Sequence, residues 1–126
     1  MASAKLDIYI EQGAGFYRKL TFKTSVAPIG PIDITGWVFK GQIRKTASDS
    51  KIIASFTSQI LNQTTDTGTV LITLTPAQTT AIPVAATATP DRKLTQYIYD
   101  IQVTKPDGSV DRILEGAVEV SPEVTK

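Results

Sequence analysis

Tyr97-Ile-Tyr-Asp-Ile-Gln-Val-Thr104, Lys105-Pro-Asp-Gly108 and Ser109-Val-Asp-Arg-Ile-Leu-Glu-Gly-Ala-Val-Glu-Val120 form the stretch that decides the fold. In its first arm, Tyr97, Tyr99, Ile101 and Val103 alternate with Ile98, Asp100, Gln102 and Thr104, the two-residue period of a strand with one face in a core. Lys105 to Gly108 is a turn signal, with Pro suited to the second position and Gly to a left-handed one. The second arm places Val110, Leu114, Val118 and Val120 on one face with Gly116 among them, and Arg112 interrupts that face near the turn. A hairpin of two long strands is predicted.

The same period recurs upstream. Leu6, Ile8 and Ile10 alternate with Asp7, Tyr9 and Glu11. Between Phe16 and Thr24, Phe16, Leu20 and Phe22 share a face on which Arg18 is the odd member, its stem packing while its guanidinium reaches water. The Pro- and Gly-containing stretch Ser25 to Thr35 reads as a connection. Trp37, Phe39 and Ile43 then share a face with Gly41, followed by Ile52, Ala54 and Phe56 opposite Ile53, Ser55 and Thr57, and by Val70, Ile72 and Leu74. The one helix signal is Thr75 to Ala81, with Thr75 as N-cap and Pro76 at the first helical position. Ile82 to Leu94 holds Pro83-Val-Ala-Ala-Thr-Ala-Thr-Pro90, which has no periodicity and is expected to be a surface loop.

Seven strands with turns every eight to twelve residues predict an all-β protein, an immunoglobulin-like antiparallel β-sandwich with one helical turn; a small closed barrel is the alternative. The 126 residues, 41% hydrophobic and 20% charged, fit one domain spanning 1–126. The expected core is Trp37, Phe39, Phe56, Ile72, Tyr99, Ile101 and Leu114. No apolar run reaches the length of a bilayer span, and Lys5, Asp7 and Glu11 break up the N-terminal stretch, so neither a membrane segment nor a secretory signal is expected.

The chain has no His and no Cys, which excludes a Ser-His-Asp triad, a Cys nucleophile, a disulfide and His or Cys metal sites. Carboxylates remain as acid-base candidates, but Glu115 and Glu119 fall on the face opposite Leu114 and Val118, as a solvated strand face requires. Asp107 and Asp111 have a calcium-loop spacing without its remaining ligands, so a hairpin turn accounts for them. Gly13 and Gly15 lack the third glycine and Lys of a phosphate loop. Lys19, Lys23, Lys40 and Arg44 read as a solvated sheet face, because a net charge of +1 gives no long-range pull toward nucleic acid. Eighteen threonines read first as strand residues that tolerate water. No catalytic residue, cofactor or metal is expected.

Tyr9, Val38, Ile53, Leu71 and Ile98 are apolar or aromatic residues on faces that a free monomer leaves wet. Together with Val84, Thr87 and Thr89 of the Ile82–Leu94 loop, they form the expected subunit interface.

The order Asp7-Ile-Tyr-Ile-Glu-Gln-Gly13, Pro31-Ile-Asp-Ile-Thr-Gly-Trp37, Gly41-Gln-Ile-Arg-Lys45, Pro106-Asp107-Gly108 and Gly116-Ala-Val-Glu-Val120 resembles small tailed-phage virion proteins and the N-terminal domain of phage baseplate upper proteins. The resemblance spans nearly the whole chain. It implies a non-enzymatic bacteriophage structural protein of a tail, baseplate, collar or capsid surface, made in the host cytoplasm. Its implied partners are other virion proteins and copies of itself in a symmetric ring or lattice, with no membrane and no specific nucleic acid. The departure is the Ile82–Leu94 loop, longer than those proteins carry. The alternative is a carbohydrate-binding β-sandwich module, which needs exposed aromatic rings where this chain has one Trp on a core face. A donor-strand pilus subunit needs an export signal and usually a disulfide.

Overall fold

A computed structural model describes residues 4–24, 26–84 and 95–123. Its elements are β1 (Ala4–Lys5), β2 (Ile8–Glu11), β3 (Phe16–Thr21), β4 (Val38–Arg44), β5 (Ala54–Ser55), β6 (Thr57–Ile60), β7 (Thr69–Leu74), helix α1 (Pro76–Thr80), β8 (Thr95–Thr104) and β9 (Val110–Ser121). The larger sheet runs β1-β9-β8-β4-β5, with β2 also on β9, and the smaller runs β3-β7-β6. Their inner faces enclose a core of aliphatic side chains, among them Ile10, Ile43, Val70, Leu74, Val118 and Val120. This is the predicted immunoglobulin-like sandwich, closed without a disulfide. No helix among the described residues is long and apolar enough to cross a membrane.

The predicted hairpin is present, with Gly108 at φ +89° and Lys105 N donating to Ser109 O at 2.9 Å. The predicted helical turn is present too: the Thr75 hydroxyl accepts from Gln78 N while the Gln78 side chain accepts from Thr75 N, a capping box.

Several expectations are corrected. The N-terminal strand is not antiparallel: β1 and β2 run parallel to β9 and break at Leu6–Asp7. There Leu6 N donates to Glu115 O at 2.9 Å, and Asp7 Oδ1 accepts from Ala117 N at 3.0 Å, so a side chain stands in for the interrupted ladder. Gly116 faces this crossing, where a Cβ would lie 2.1 Å from Leu6 O.

In the hairpin, Ile101 pairs with Leu114 but Gln102 pairs with Arg112, leaving Ile113 as a bulge. One extra residue inverts the inside–outside phase. Ile113 and Leu114 are therefore both buried, whereas Val110, expected on the same face as Leu114, faces solvent with Arg112.

The strand expected through Ile52–Thr57 is split. The chain leaves β4 after two paired residues and passes to the smaller sheet at Phe56, whose N–H bonds Gly41 O at 2.9 Å. Ile53, bonded through its N–H to Ile43 O, turns inward and Ile52 outward, the reverse of the expected faces. Trp37 and Phe56 are half-buried at the margin of the core instead of at its centre. Leu71 is half-buried as well. Ile82, the first residue of the expected loop, is fully buried, and Val84 packs against the core. Thr87 and Thr89 lie outside the described residues.

Candidate interaction face

Three of the expected interface residues, Tyr9, Val38 and Ile98, share the outward face of the larger sheet. Strand register arranges this face in cross-strand rows: Val38–Thr104–Val110, Lys40–Gln102–Arg112, Gln42–Asp100–Glu115 and Arg44–Ile98–Ala117. Tyr9 and Gln96 flank Glu119 in a further row. Tyr9 is 65% exposed, Val38 62%, Val110 58% and Ile98 37%. Val38 and Val110 thus sit at the hairpin-turn end of the face and Ile98 and Tyr9 toward the other, with a polar band between them.

The band is wired by its own contacts. Arg112 reaches Asp100 Oδ2 at 3.3 Å and Glu115 Oε2 at 3.2 Å, while Arg44 donates to Gln42 Oε1 at 3.0 Å and to Asp49 O at 2.6 Å. Such exposed ion pairs contribute at most about 1 kcal/mol each to stability. Their larger consequence is a fixed pattern of both signs across the face. Glu119 beside Tyr9 raises the phenol's pKa, keeping its hydroxyl protonated as a donor. An open hollow of about 720 Å³ lies in this face, lined by Lys5, Asp7, Arg44, Ile98, Asp100 and Arg112 among others. Its one aromatic lining residue, Tyr99, is buried, with its hydroxyl on Leu6 O.

The other expected interface residues are elsewhere. Ile53 packs against the core beside β5, Leu71 lies on the outward side of the smaller sheet, and Val84 is held by the core. Sequence reasoning missed Val110, although the apolar doublet Ile113-Leu114 is the mark a bulge leaves in an alternating strand. It also missed Val26 and Ile29, both exposed in the connection between β3 and β4. That connection is held by Thr24, whose N–H bonds Gly30 O at 2.9 Å and whose hydroxyl donates to Pro28 O and accepts from Gly30 N, each at 3.1 Å.

Among the described residues, no group of three or more carboxylates is gathered to hold a metal ion. Asp107 instead bonds Ser109 N at 2.9 Å and Ser109 Oγ at 2.7 Å within the hairpin turn, and these bonds lower its pKa.

No family model and no curated protein sequence matches this chain. Among solved structures, CopC from Methylosinus trichosporium OB3b is similar with a TM-score of 0.42 and 15% identity, covering 93% of this chain and 87% of that one.

Proposed function

We propose that this chain is a non-enzymatic structural subunit of a bacteriophage particle, binding neighbouring virion subunits through the outward face of its larger sheet. The observation that carries the reading is the placement of Tyr9, Val38, Ile98 and Val110, four large side chains left in water around a band of balanced, mutually fixed charge. Apolar residues ringing a patterned polar band match the composition of protein interfaces that close and reopen. The motif order quoted above supplies the virion part of the reading. A carbohydrate module has less support, because the hollow offers no exposed ring for a sugar to stack on.

The test is a Val38→Asp/Ile98→Asp variant, followed by thermal melting of the free protein and counting of copies in purified particles. The melt is expected to stay within a few degrees of the parent, since exposed positions contribute about 0.5 kcal/mol or less, while incorporation falls. Full incorporation of the variant removes this face from the assembly contact. Absence of the unaltered protein from purified particles ends the virion reading.

A further inference from the structure

Among the described residues, strand β3 is an edge. It pairs with β7 on one side, and no described residue bonds its backbone on the other. Phe22 N donates to Gly68 O at 2.8 Å, continuing the β3–β7 register by one residue. Because bonded pairs alternate along an antiparallel ladder, Phe16, Arg18 and Leu20 bond β7, and Tyr17, Lys19 and Thr21 turn their N–H and C=O groups to the open side.

The side chains of that edge are selective. Arg18 shares the inward face with half-buried Phe16 and Leu20, beside a small recess lined by Ile8, Phe16, Phe56, Ile72 and Tyr99. Arg18 is exposed, and its guanidinium makes no hydrogen bond or ion pair with a described residue. Lys19 stands on the outward face, and Lys23 follows. An inward charge on an edge strand blocks indiscriminate pairing. Like charges disfavour two registers with a second copy: antiparallel pairing centred on Lys19 sets Lys19 against Lys19, and pairing centred on Arg18 sets Arg18 against Arg18.

We propose that the β3 edge accepts an extended segment of a different polypeptide, with the alternating pattern apolar–x–acidic–x–apolar on its inward face. The carboxylate pairs with Arg18, the flanking apolar residues cover Leu20 and Phe16, and the backbone bonds Tyr17, Lys19 and Thr21. Charge complementarity selects this occupant, and main-chain pairing holds it. The proposal deepens the reading of the chain as an assembly subunit by naming the chemistry of one partner segment.

The experiment uses the isolated full chain and two synthetic peptides, one with Val-Thr-Glu-Thr-Val at its centre and one with Lys in place of Glu. Binding is followed by NMR titration, and amide hydrogen exchange is read at Tyr17, Lys19 and Thr21. In the free protein these three amides are expected to exchange rapidly, and the Glu peptide to protect them. The Lys peptide is expected to bind about tenfold more weakly, the ratio that roughly 1.4 kcal/mol of charge-assisted bonding supplies. Arg18→Glu, an exposed substitution, is expected to invert the preference. Protected amides in the free chain, equal binding of the two peptides, or an unchanged preference in Arg18→Glu each overturn the proposal. These readings need no particle, so they fail or succeed independently of the incorporation assay.

Discussion

The Tyr99 hydroxyl donates to the Leu6 carbonyl at 2.5 Å, joining residues 93 apart in sequence. Leu6 lies in the gap between β1 and β2, against the backbone of Gly116, and its own N–H bonds Glu115 O. A phenol from β8, a missing side chain on β9 and a ladder bond therefore converge on one residue. This convergence holds the N-terminal strand parallel to β9 where its own regular pairing breaks.

Replacing Tyr99 by Phe keeps the ring and removes the bond, so the Leu6 carbonyl loses this partner. A loss of about 1–3 kcal/mol in denaturant unfolding is expected. The substitution also changes the alkaline limb. Burial pushes the Tyr99 pKa up to about 12 from an ordinary 10.0. Between those values the unfolded chain releases a proton that the folded chain keeps, so stability falls as pH rises from 10 toward 12. Tyr97, also raised by burial, adds to the fall in the same direction. The stability–pH curve of Tyr99→Phe is expected to be shallower over this range, and parallel curves for the two proteins would contradict the account.

Gly116→Ala tests the same junction from β9. The added Cβ would meet the Leu6 oxygen at 2.1 Å and its carbonyl carbon at 2.7 Å, both backbone atoms that no side-chain rotation can clear. The N-terminal segment must move away from β9, exposing Ile8 and Ile10, which are buried in the parent. A destabilisation above about 3 kcal/mol is expected. Hydrogen exchange should accelerate first at Leu6 and in β2, not in the β3–β7 pair.

Much of this architecture was legible in the sequence because alternation reports burial directly. The β8–β9 hairpin, the α1 cap and the inner face of β7 follow from period two, a Pro-Asp-Gly turn and a Thr-Pro start. Errors arose where the phase slips. Nothing local marks Leu6–Asp7 as a break, because its cause is Gly116, 110 residues beyond Leu6. The Ile113 bulge inverted the face of Val110, and the bend at Ile53, just before β5, turned Ile53 inward and Ile52 outward. On the outward face of the larger sheet, alternation identified Tyr9, Val38 and Ile98, but their sharing of one face depends on long-range register that one strand does not encode. The polar ties that Gln12 makes to Ile82 O at 3.0 Å, that Gln63 Oε1 makes to Ile34 N and Gly68 N at 3.1 and 2.8 Å, and that Thr79 makes to the turn after β2 carry no periodic signal at all.

Thr79 is the most consequential of these ties. Its fully buried hydroxyl accepts from Gly13 N at 3.0 Å and lies 2.9 Å from Ala14 O and 3.0 Å from Pro76 O, fastening α1 to the turn after β2. Thr79→Val conserves shape and removes these bonds, leaving the Gly13 amide without its hydroxyl partner. A loss of about 2–3 kcal/mol is expected from chemical denaturation. Thr80→Val, on the exposed side of the helix, should change stability by less than about 0.5 kcal/mol. Similar losses at the two positions would show that helix propensity, not the buried hydroxyl, governs this corner.

Trp37 offers a quantitative test of the core margin. Its ring lies 5.5 Å from that of Phe22 and 6.4 Å from that of Phe39, and Lys105 Nζ stands 5.2 Å from its centroid while pairing with Asp111 Oδ2 at 3.4 Å. These contacts tie the start of β4 to the segment after β3 and to the hairpin turn. A half-buried ring retains part of its area in water, so Trp37→Ala is expected to cost about 2–3 kcal/mol, below the 3–5 of a fully buried aromatic. The cation contributes separately. In a double-mutant cycle of Trp37→Leu with Lys105→Met, measured by urea unfolding, a coupling of about 0.5–1 kcal/mol is expected. That coupling should persist at high salt better than the Lys105–Asp111 pair, because the ring shields one side of the ammonium group. A coupling of zero would leave Lys105 as a partner of Asp111 alone and reduce Trp37 to an aromatic contact with Phe22 and Phe39.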